Sequence, residues 1–357
     1  MYANKNKQPS SMTRVAGSAT IADVAREAGV SKATVSRFLN HRDKLLTKEI
    51  ALKVEAAIRV LSYSPSHMAQ SLKRGRSKLI GLVVADVTSP SSLALMRGAE
   101  AACQEAGYML MPFNLANDER REQEAIETLT AYQVEGFILN TLGRNGCAAA
   151  KTVTNSRPTV MVETRHHDIQ SDFVSLDNAG AVRLCANHLL EVGYRELLFI
   201  SEPIKTVSSR KERESAFQDF LRNAASENAG LAGSSFESAA GEQQEIDDAL
   251  RSLRQRAGHR APAVLTSSSK MTLCVVASLA RLGWRLGVEV GLVCFEDTEW
   301  SPFVGPGLSA IAQPADELGR IASDCLIERI KGLTLPPRQI YLSGLLVERG
   351  SSLPIKI

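Results

Sequence analysis

Apolar positions along this chain change their spacing once, near residue 79. Before it, they recur at helical intervals of three and four. Ile21, Val24, Ala25 and Ala28 share one face, and Gly29 follows them as a helix stop. Ala33, Thr34, Val35, Phe38 and Leu39 make a second short helix after Ser31, a capping residue. Ile50, Val54, Ala57, Ile58 and Leu61 predict a third, over about 48–61. Thr20 and Asp23 stand at capping-box spacing ahead of the first. Two short helices joined by a tight turn and closed by a third is a helix-turn-helix arrangement.

From Leu79 onward, short continuous apolar runs alternate with helical patterns. Leu79-Ile80-Gly81-Leu82-Val83-Val84-Ala85 reads as a buried parallel strand. The alternation predicts strands at 108–113, 136–140, 158–163, 196–201, 262–266, 290–295 and 308–311. Helices are predicted near 91–106, 118–132, 178–192, 208–223, 270–282 and 314–331. This is α/β patterning, and so many strands in one body call for two doubly wound parallel-sheet lobes. The domains expected are a disordered arm (1–19), a small all-α helix-turn-helix head (20–63), a linker (64–78), a two-lobed α/β body (79–350) and a tail (351–357).

Charge sharpens this division. Net charge is +3 over 357 residues, yet residues 1–78 hold fifteen Lys and Arg against five Asp and Glu, a balance of +10 that leaves −7 for the rest. A basic head on an acidic body points to a polyanionic partner for the head. The second helix then enters the major groove with Lys32, Ala33, Ser36 and Arg37. Arg37 can fork onto guanine, Lys32 can reach guanine or phosphate, and Ala33 offers a methyl contact. Thr20, Ser31, Thr34 and Asn40 carry hydroxyl or amide groups suited to phosphate.

Other classes find little support. No apolar run approaches the roughly 18 residues of a membrane span, and the first residues lack the apolar stretch of a secretory signal, so a cytoplasmic location is expected. The six cysteines have no metal-type spacing and read as buried apolar groups. His166-His167 has no completing ligand pattern, so no metal and no cofactor are expected. There is no GxGxxG after a strand, no phosphate-binding Gly-rich loop, no GxSxG and no HExxH, which argues against an enzyme.

The run Thr20-Ile21-Ala22-Asp23-Val24-Ala25-Arg26-Glu27-Ala28-Gly29-Val30-Ser31-Lys32-Ala33-Thr34-Val35-Ser36-Arg37-Phe38-Leu39-Asn40 resembles the DNA-binding signature of the LacI/GalR family of bacterial repressors. The likeness continues through Tyr63-Ser64-Pro65 and Ala69-Gln70-Ser71-Leu72 and, in order, to about residue 350. It implies a homodimer on operator DNA, with a body like periplasmic sugar-binding proteins whose chain crosses between lobes three times. It also implies a hinge helix in the linker, with Leu72 wedged into the minor groove and Ala69 allowing close approach. Ser66 and His67 depart from the family's usual Asn and Arg there. The chain ends soon after Ser351-Ser352-Leu353-Pro354, without the family's tetramer-forming tail, so a dimer is expected.

In open α/β sheets, ligands bind beyond the carboxyl ends of the strands. The residues there are Asp86, Ser91, Thr141, Arg165, Asp177, the 207–213 stretch, Ser268, Glu296 and Trp300. The resemblance places Arg213 as the effector-gripping arginine, Asp177 at an acidic position, and Glu296 where an Asp usually holds the ligand. Ser268 replaces a usual Asn and Ser91 a usual aromatic. Ser208-Ser209-Arg210-Lys211-Glu212-Arg213 and Asp297-Thr298-Glu299-Trp300 look most like the ketogluconate-responsive branch, which implies a sugar or sugar-acid effector. The competing reading is a receptor-like solute binder whose basic head holds DNA only nonspecifically.

Overall fold

A computed structural model describes residues 19–39, 46–64, 76–118, 120–141, 154, 156–165, 169–204, 207–226, 228–239 and 242–353. The chain divides into two compact units, residues 1–77 and 78–357.

The head holds α1 (Ile21–Glu27), α2 (Lys32–Leu39) and α3 (Lys48–Val60). Thr20 accepts from the Asp23 amide while the Asp23 carboxylate accepts from the Thr20 amide at 3.0 Å, the reciprocal cap that the spacing predicts. Gly29, at φ +64°, lets the chain turn left-handed between the two helices. Ser31 takes the Thr34 amide at 3.2 Å, and Thr47 takes the Ile50 amide ahead of α3. Val24, Ala25, Ala28, Val35, Val54 and Ala57 form one small core.

The second unit contains two six-stranded sheets. Its strands are β1 (Leu79–Val84), β2 (Met109–Asn114), β3 (Gly136–Asn140), β4 (Thr159–Val162), β5 (Asp172–Leu176), β6 (Glu196–Ser201), β7 (Ala232–Glu237), β8 (Pro262–Thr266), β9 (Gly291–Phe295), β10 (Ser309–Ala312), β11 (Gln339–Leu342) and β12 (Leu345–Val347). Its helices are α4 (Pro90–Glu105), α5 (Arg121–Ala131), α6 (Asn178–Glu191), α7 (Ser208–Ala224), α8 (Gln243–Ala257), α9 (Ser269–Leu282) and α10 (Ala315–Ile330). Lobe 1 has the order β11-β5-β4-β3-β1-β2 and lobe 2 the order β12-β10-β9-β8-β6-β7. The two orders correspond strand for strand, so each lobe is a version of the other.

All pairings are parallel except β10 with β12, so lobe 2 carries one antiparallel edge that the strand–helix alternation did not predict. The pattern also missed β5, β7, β11, β12 and α8. The edge strands are short or polar, and α8 shows the core only Ile246, Leu250, Leu253 and Ala257 among charged neighbours.

The chain passes between lobes at 176–178, 312–315 and 342–345. α10 returns to pack in lobe 1, where Leu318, Ala322 and Leu326 share a core with Ile80 and Leu82. Gly98 and Gly319 make this possible: a Cβ on either would strike the backbone of the facing helix at 1.8 or 2.0 Å. All three passages touch at Gly344, where a Cβ would meet Ile311 at 2.7 Å and Leu176 at 3.4 Å. Asp172, at the buried start of β5, ties the last helix and last strands to lobe 1. It accepts from Arg329 at 2.7 Å and from Arg338 at 2.8 Å. Burial pushes its carboxyl up, but the two guanidinium groups win and hold it at about 2.

Asp172→Asn takes the shared carboxylate from two half-buried arginines, of which Arg338 keeps Glu328 at 2.6 Å, and a loss of stability of about 2 kcal/mol is expected. A shift of the urea midpoint at unchanged slope checks this. Because the folded carboxyl lies below its unfolded value of about 3.9, its contribution is complete above that pH and disappears as pH falls toward 2.

Candidate functional site

Two surfaces carry chemistry, one in each unit. In the head, Thr20, Ser31, Lys32, Ala33 and Arg37 are exposed, and Thr34 and Ser36 are half-buried. The Ser31 and Thr34 hydroxyls bond each other at 2.9 Å at the start of α2, so both serve the cap. An exposed helix that carries Lys32 and Arg37 and has hydroxyls at its N-terminus is a shape that fits a DNA groove. Asn40, His67, Ala69 and Leu72 lie outside the described residues.

In the body, the strand ends of the two lobes face one cleft, and a buried charge cluster occupies it. Arg213, on the first turns of α7, is 7% exposed. Its Nε donates to Asn178 at 2.7 Å and its Nη1 to the Ser267 carbonyl at 2.6 Å, while the guanidinium lies 4.3 Å over the Phe295 ring. Burial lowers its pKa, and Glu163, Glu296 and Glu202 offset that loss. Glu163 follows β4 and Glu296 follows β9, which are corresponding strands of the two sheets. Both have left-handed backbone, φ +59° and +81°. Glutamate rarely adopts this, and such strain gathers at functional sites.

The Ser91 hydroxyl, from lobe 1, donates to Glu296 Oε1 at 2.6 Å across the cleft. A second bridge runs from the Arg165 amide to the Ser208 hydroxyl at 2.9 Å. Asn140 donates to Glu163 at 3.3 Å. Burial pushes the Glu163 carboxyl up, with Arg213 opposing and Glu296 reinforcing that shift. Glu202 is in the opposite situation. Burial raises it, but Arg210 at 3.4 Å and donors Ser267 at 2.7 Å and Ser268 at 2.8 Å hold it below the usual range. Four buried polar atoms at the strand ends of the two lobes have no partner among the described residues: Thr141 Oγ1, Ser201 Oγ, Glu296 Oε2 and Gln313 Oε1. Native interiors leave few such atoms, and each calls for an explanation.

The structure gives the remaining candidates contacts of their own. Asp177 caps α6 through the Gly180 amide at 2.8 Å. Ser268 caps α9 through the Met271 amide at 3.2 Å, besides bonding Glu202. Asp86 is held by Thr88 and Asn117 within lobe 1. The Arg165 guanidinium stacks on Phe173 at 4.9 Å. Trp300 packs against the core of lobe 2 and begins a short 3₁₀ turn. The sequence pattern singles out neither Glu163 nor Asn178: the predicted strand 158–163 ends on Glu163, although an acid one residue past a buried run is itself a signal. Among the described residues, no cluster of His, Cys, Asp and Glu could hold a metal, and no helix is long and apolar enough to cross a membrane.

Residues 20–66 match the model of lacI family bacterial regulatory proteins, and residues 186–352 match a periplasmic binding protein-like domain. The chain is 40% identical over 337 residues to the HTH-type transcriptional regulator PtxS of Pseudomonas plecoglossicida, covering 94% of this chain and 96% of that one. The chain belongs to the lacI family. Within the family it is also 34% identical over 338 residues to the regulator KdgR of Bacillus subtilis, covering 95% and 99% of the two chains. The ribose operon repressor of Escherichia coli is 33% identical over 341 residues, covering 94% and 100%. The lac repressor dimer bound to operator and an anti-inducer has the same fold, with a TM-score of 0.80 at 23% identity over 94% of this chain and all of that one. As a member of the lacI family, the chain is a DNA-binding transcriptional regulator.

The raised Glu163 gives a test of the cleft's electrostatics. Above its ordinary value of about 4.3 the folded protein keeps a proton that the unfolded chain releases, so this group's contribution falls as pH rises through its folded pKa. Glu163→Gln removes that slope, so melting temperature plotted against pH upward from the ordinary carboxylate range is expected to be flatter than in wild type.

Proposed function

We propose that the protein is a homodimeric repressor that leaves its operator when a small sugar acid fills the cleft between the lobes. The observation that carries this is the set of unpartnered buried polar atoms at the strand ends of both lobes, the same ends that carry the acids facing Arg213. A polyhydroxylated acid complements it. Its carboxylate takes the N–H groups of Arg213 not used by Asn178 and Ser267, and its hydroxyls donate to Glu163 and Glu296 while reaching Thr141, Ser201 and Gln313. The names of the relatives, which include a ribose operon repressor, support a sugar-type ligand. A neutral sugar is the second reading, because Glu202 and Glu296 already oppose the charges of Arg210 and Arg213.

In this reading α2 reads the major groove through Lys32, Ala33, Ser36 and Arg37. Thr20, Ser31, Thr34 and Asn40 hold phosphates, and the linker with His67, Ala69 and Leu72 engages the minor groove. Two heads on a dimer match a pseudo-palindromic site. The protein works by binding rather than catalysis, in the compartment that holds the DNA, the cytoplasm. Because effector and operator act on one two-state equilibrium, each weakens the other by the same factor.

The deciding experiment is a titration against genomic fragments, followed by addition of 2-ketogluconate, gluconate and ribose. Specific binding released by a sugar acid is the expected result. Release by ribose alone moves the effector to a neutral sugar, and failure to bind any fragment specifically favours a receptor with a nonspecific basic head. Arg213→Ala is expected to abolish release while operator affinity stays at the wild-type value. Leu72→Ala is expected to weaken specific binding far more than binding to random DNA, and equal losses on the two DNAs would remove the wedge.

A further inference from the structure

Glu296 begins a loop, residues 296–308, that runs from the end of β9 to the start of β10. The loop is internally braced. The Thr298 and Ser301 hydroxyls bond at 2.8 Å, and the Leu308 amide donates to the Ser301 carbonyl at 2.9 Å. Its two ends are held by a single side chain from elsewhere. Arg349 places Nη1 and Nη2 on the two Asp297 oxygens at 2.7 and 2.9 Å, and the same Nη1 on the Leu308 carbonyl at 2.7 Å. Both charged groups are about four-fifths buried, with side-chain exposures of 20% and 19%. The stem of Arg349 lies against Gly307, whose φ of +84° and missing Cβ leave the space; a Cβ there would sit 3.1 Å from Arg349 Cδ.

Arg349 is itself anchored. Its amide donates to Ser309 Oγ at 2.8 Å, and that hydroxyl donates to its carbonyl at 2.9 Å. Next to it, Ser351 Oγ accepts the Ser309 amide at 2.8 Å and donates to the Leu292 carbonyl at 2.6 Å. Two residues before Arg349, β12 ends. The strand starts right after the third passage between lobes, at Gly344, where all three passages touch. A rigid chain of bonds therefore runs from the interlobe passage, through Arg349 and Asp297, to the strained backbone of Glu296.

We propose that Arg349 is a positioning residue for effector recognition: by stapling both ends of the 296–308 loop it fixes the left-handed backbone that holds Glu296 against Ser91 across the cleft. It touches no ligand. Its fork is matched to the task, since a guanidinium bonds the two Asp297 oxygens and the Leu308 carbonyl together, while an ammonium group lacks that geometry. The proposal rests on the reading of the cleft as the effector site.

The test uses the full-length protein and its operator fragment, with 2-ketogluconate as probe and ribose in its place should ribose alone release wild type. Arg349→Met, Arg349→Lys, Asp297→Asn and the double variant Arg349→Met/Asp297→Asn are compared for three quantities. These are operator affinity without effector, melting temperature, and the effector concentration that releases half the complex. Arg349→Met and Asp297→Asn are each expected to raise the half-release concentration by about tenfold or more, the equivalent of one broken coupling. Operator affinity is expected to stay within about twofold in the same variants, because the head keeps its own core. Arg349→Lys should fall between wild type and Arg349→Met, and the double variant should be no worse than either single one.

Three outcomes overturn the assignment. One is a wild-type half-release concentration in Arg349→Met. Another is a loss that moves in step with melting temperature and operator affinity, which marks a purely structural ion pair. The third is wild-type protein that no sugar or sugar acid releases, which removes the effector reading itself. The first two leave that reading intact, so the two failures are distinguishable. Hydrogen exchange over 296–308 reads the staple without any ligand, and faster exchange confined to that loop in Arg349→Met is expected.

Discussion

A guanidinium cannot leave water alone. Burying a charge without a partner costs far more than any single contact returns, so a buried arginine dictates what surrounds it. Arg213 is in that position, and the architecture of the cleft follows from it. Asn178 and the Ser267 carbonyl satisfy two of its N–H groups, Phe295 covers its face, and Glu163, Glu202 and Glu296 supply opposing charge. Those partners come from both lobes. Glu163 follows a strand of one sheet, Glu202 and Glu296 follow strands of the other, and all three act on the same cation. What is left over is informative. The cluster opposes the charge of Arg213, yet hydroxyl and carboxylate atoms at the strand ends stay unpaired among the described residues, and each calls for an explanation.

The correspondence of the two sheets explains why the acids lie where they do. β4 and β9 occupy the same place in their sheets, and each is followed at once by a glutamate at positive φ. A residue in extended or helical conformation at that point would continue along the strand or turn into the next helix. The left-handed turn instead brings the chain around at the strand end, where both carboxylates act on Arg213. The strain costs something of order 1–3 kcal/mol at each site, and the surrounding bonds hold it in place. At Glu296 those bonds include the Arg349 staple and the Ser91 hydroxyl. At Glu163 they include the Asn140 amide and the Ser208 contact with its carbonyl.

Much of this was legible in the chain because its signals are local. The reciprocal Thr20–Asp23 cap, the Gly29 turn and the buried runs of β3, β6 and β8 depend on neighbours a few residues apart, and they fall where the pattern places them. The elements that were missed depend on distant partners. β11 and β12 are four and three residues long and become strands only because β5 and β10 present free edges. The polar β7 pairs only with β6, at the edge of its sheet. The site divides in the same way. Arg213 and Glu296 stood out by resemblance, and Asn178 did not, because its role is to accept from a side chain 35 residues later in the sequence. Asp177 and Ser268 cap helices, and helix N-termini next to strand ends favour the same residue types that ligands do.

A regulator of this kind needs a cleft whose two states differ in their contacts, since a ligand shifts an equilibrium only by its differential affinity for the two states. The structure supplies the competing contacts. Ser91 to Glu296 and the Arg165 amide to Ser208 are direct bonds between lobes, made by groups that line the cleft. A ligand hydroxyl that takes Glu296 Oε1 from Ser91 exchanges one hydrogen bond for another and so gains little at that point. One that also reaches the unpartnered Oε2 removes a standing desolvation penalty of about 1–3 kcal/mol. Each further orphan atom satisfied in the same arrangement adds to the difference between occupied and empty states. In the proposed reading the unpaired atoms of the cleft are the source of the free energy available for switching, and a fully satisfied cluster around Arg213 would make a more stable protein with nothing to offer an effector.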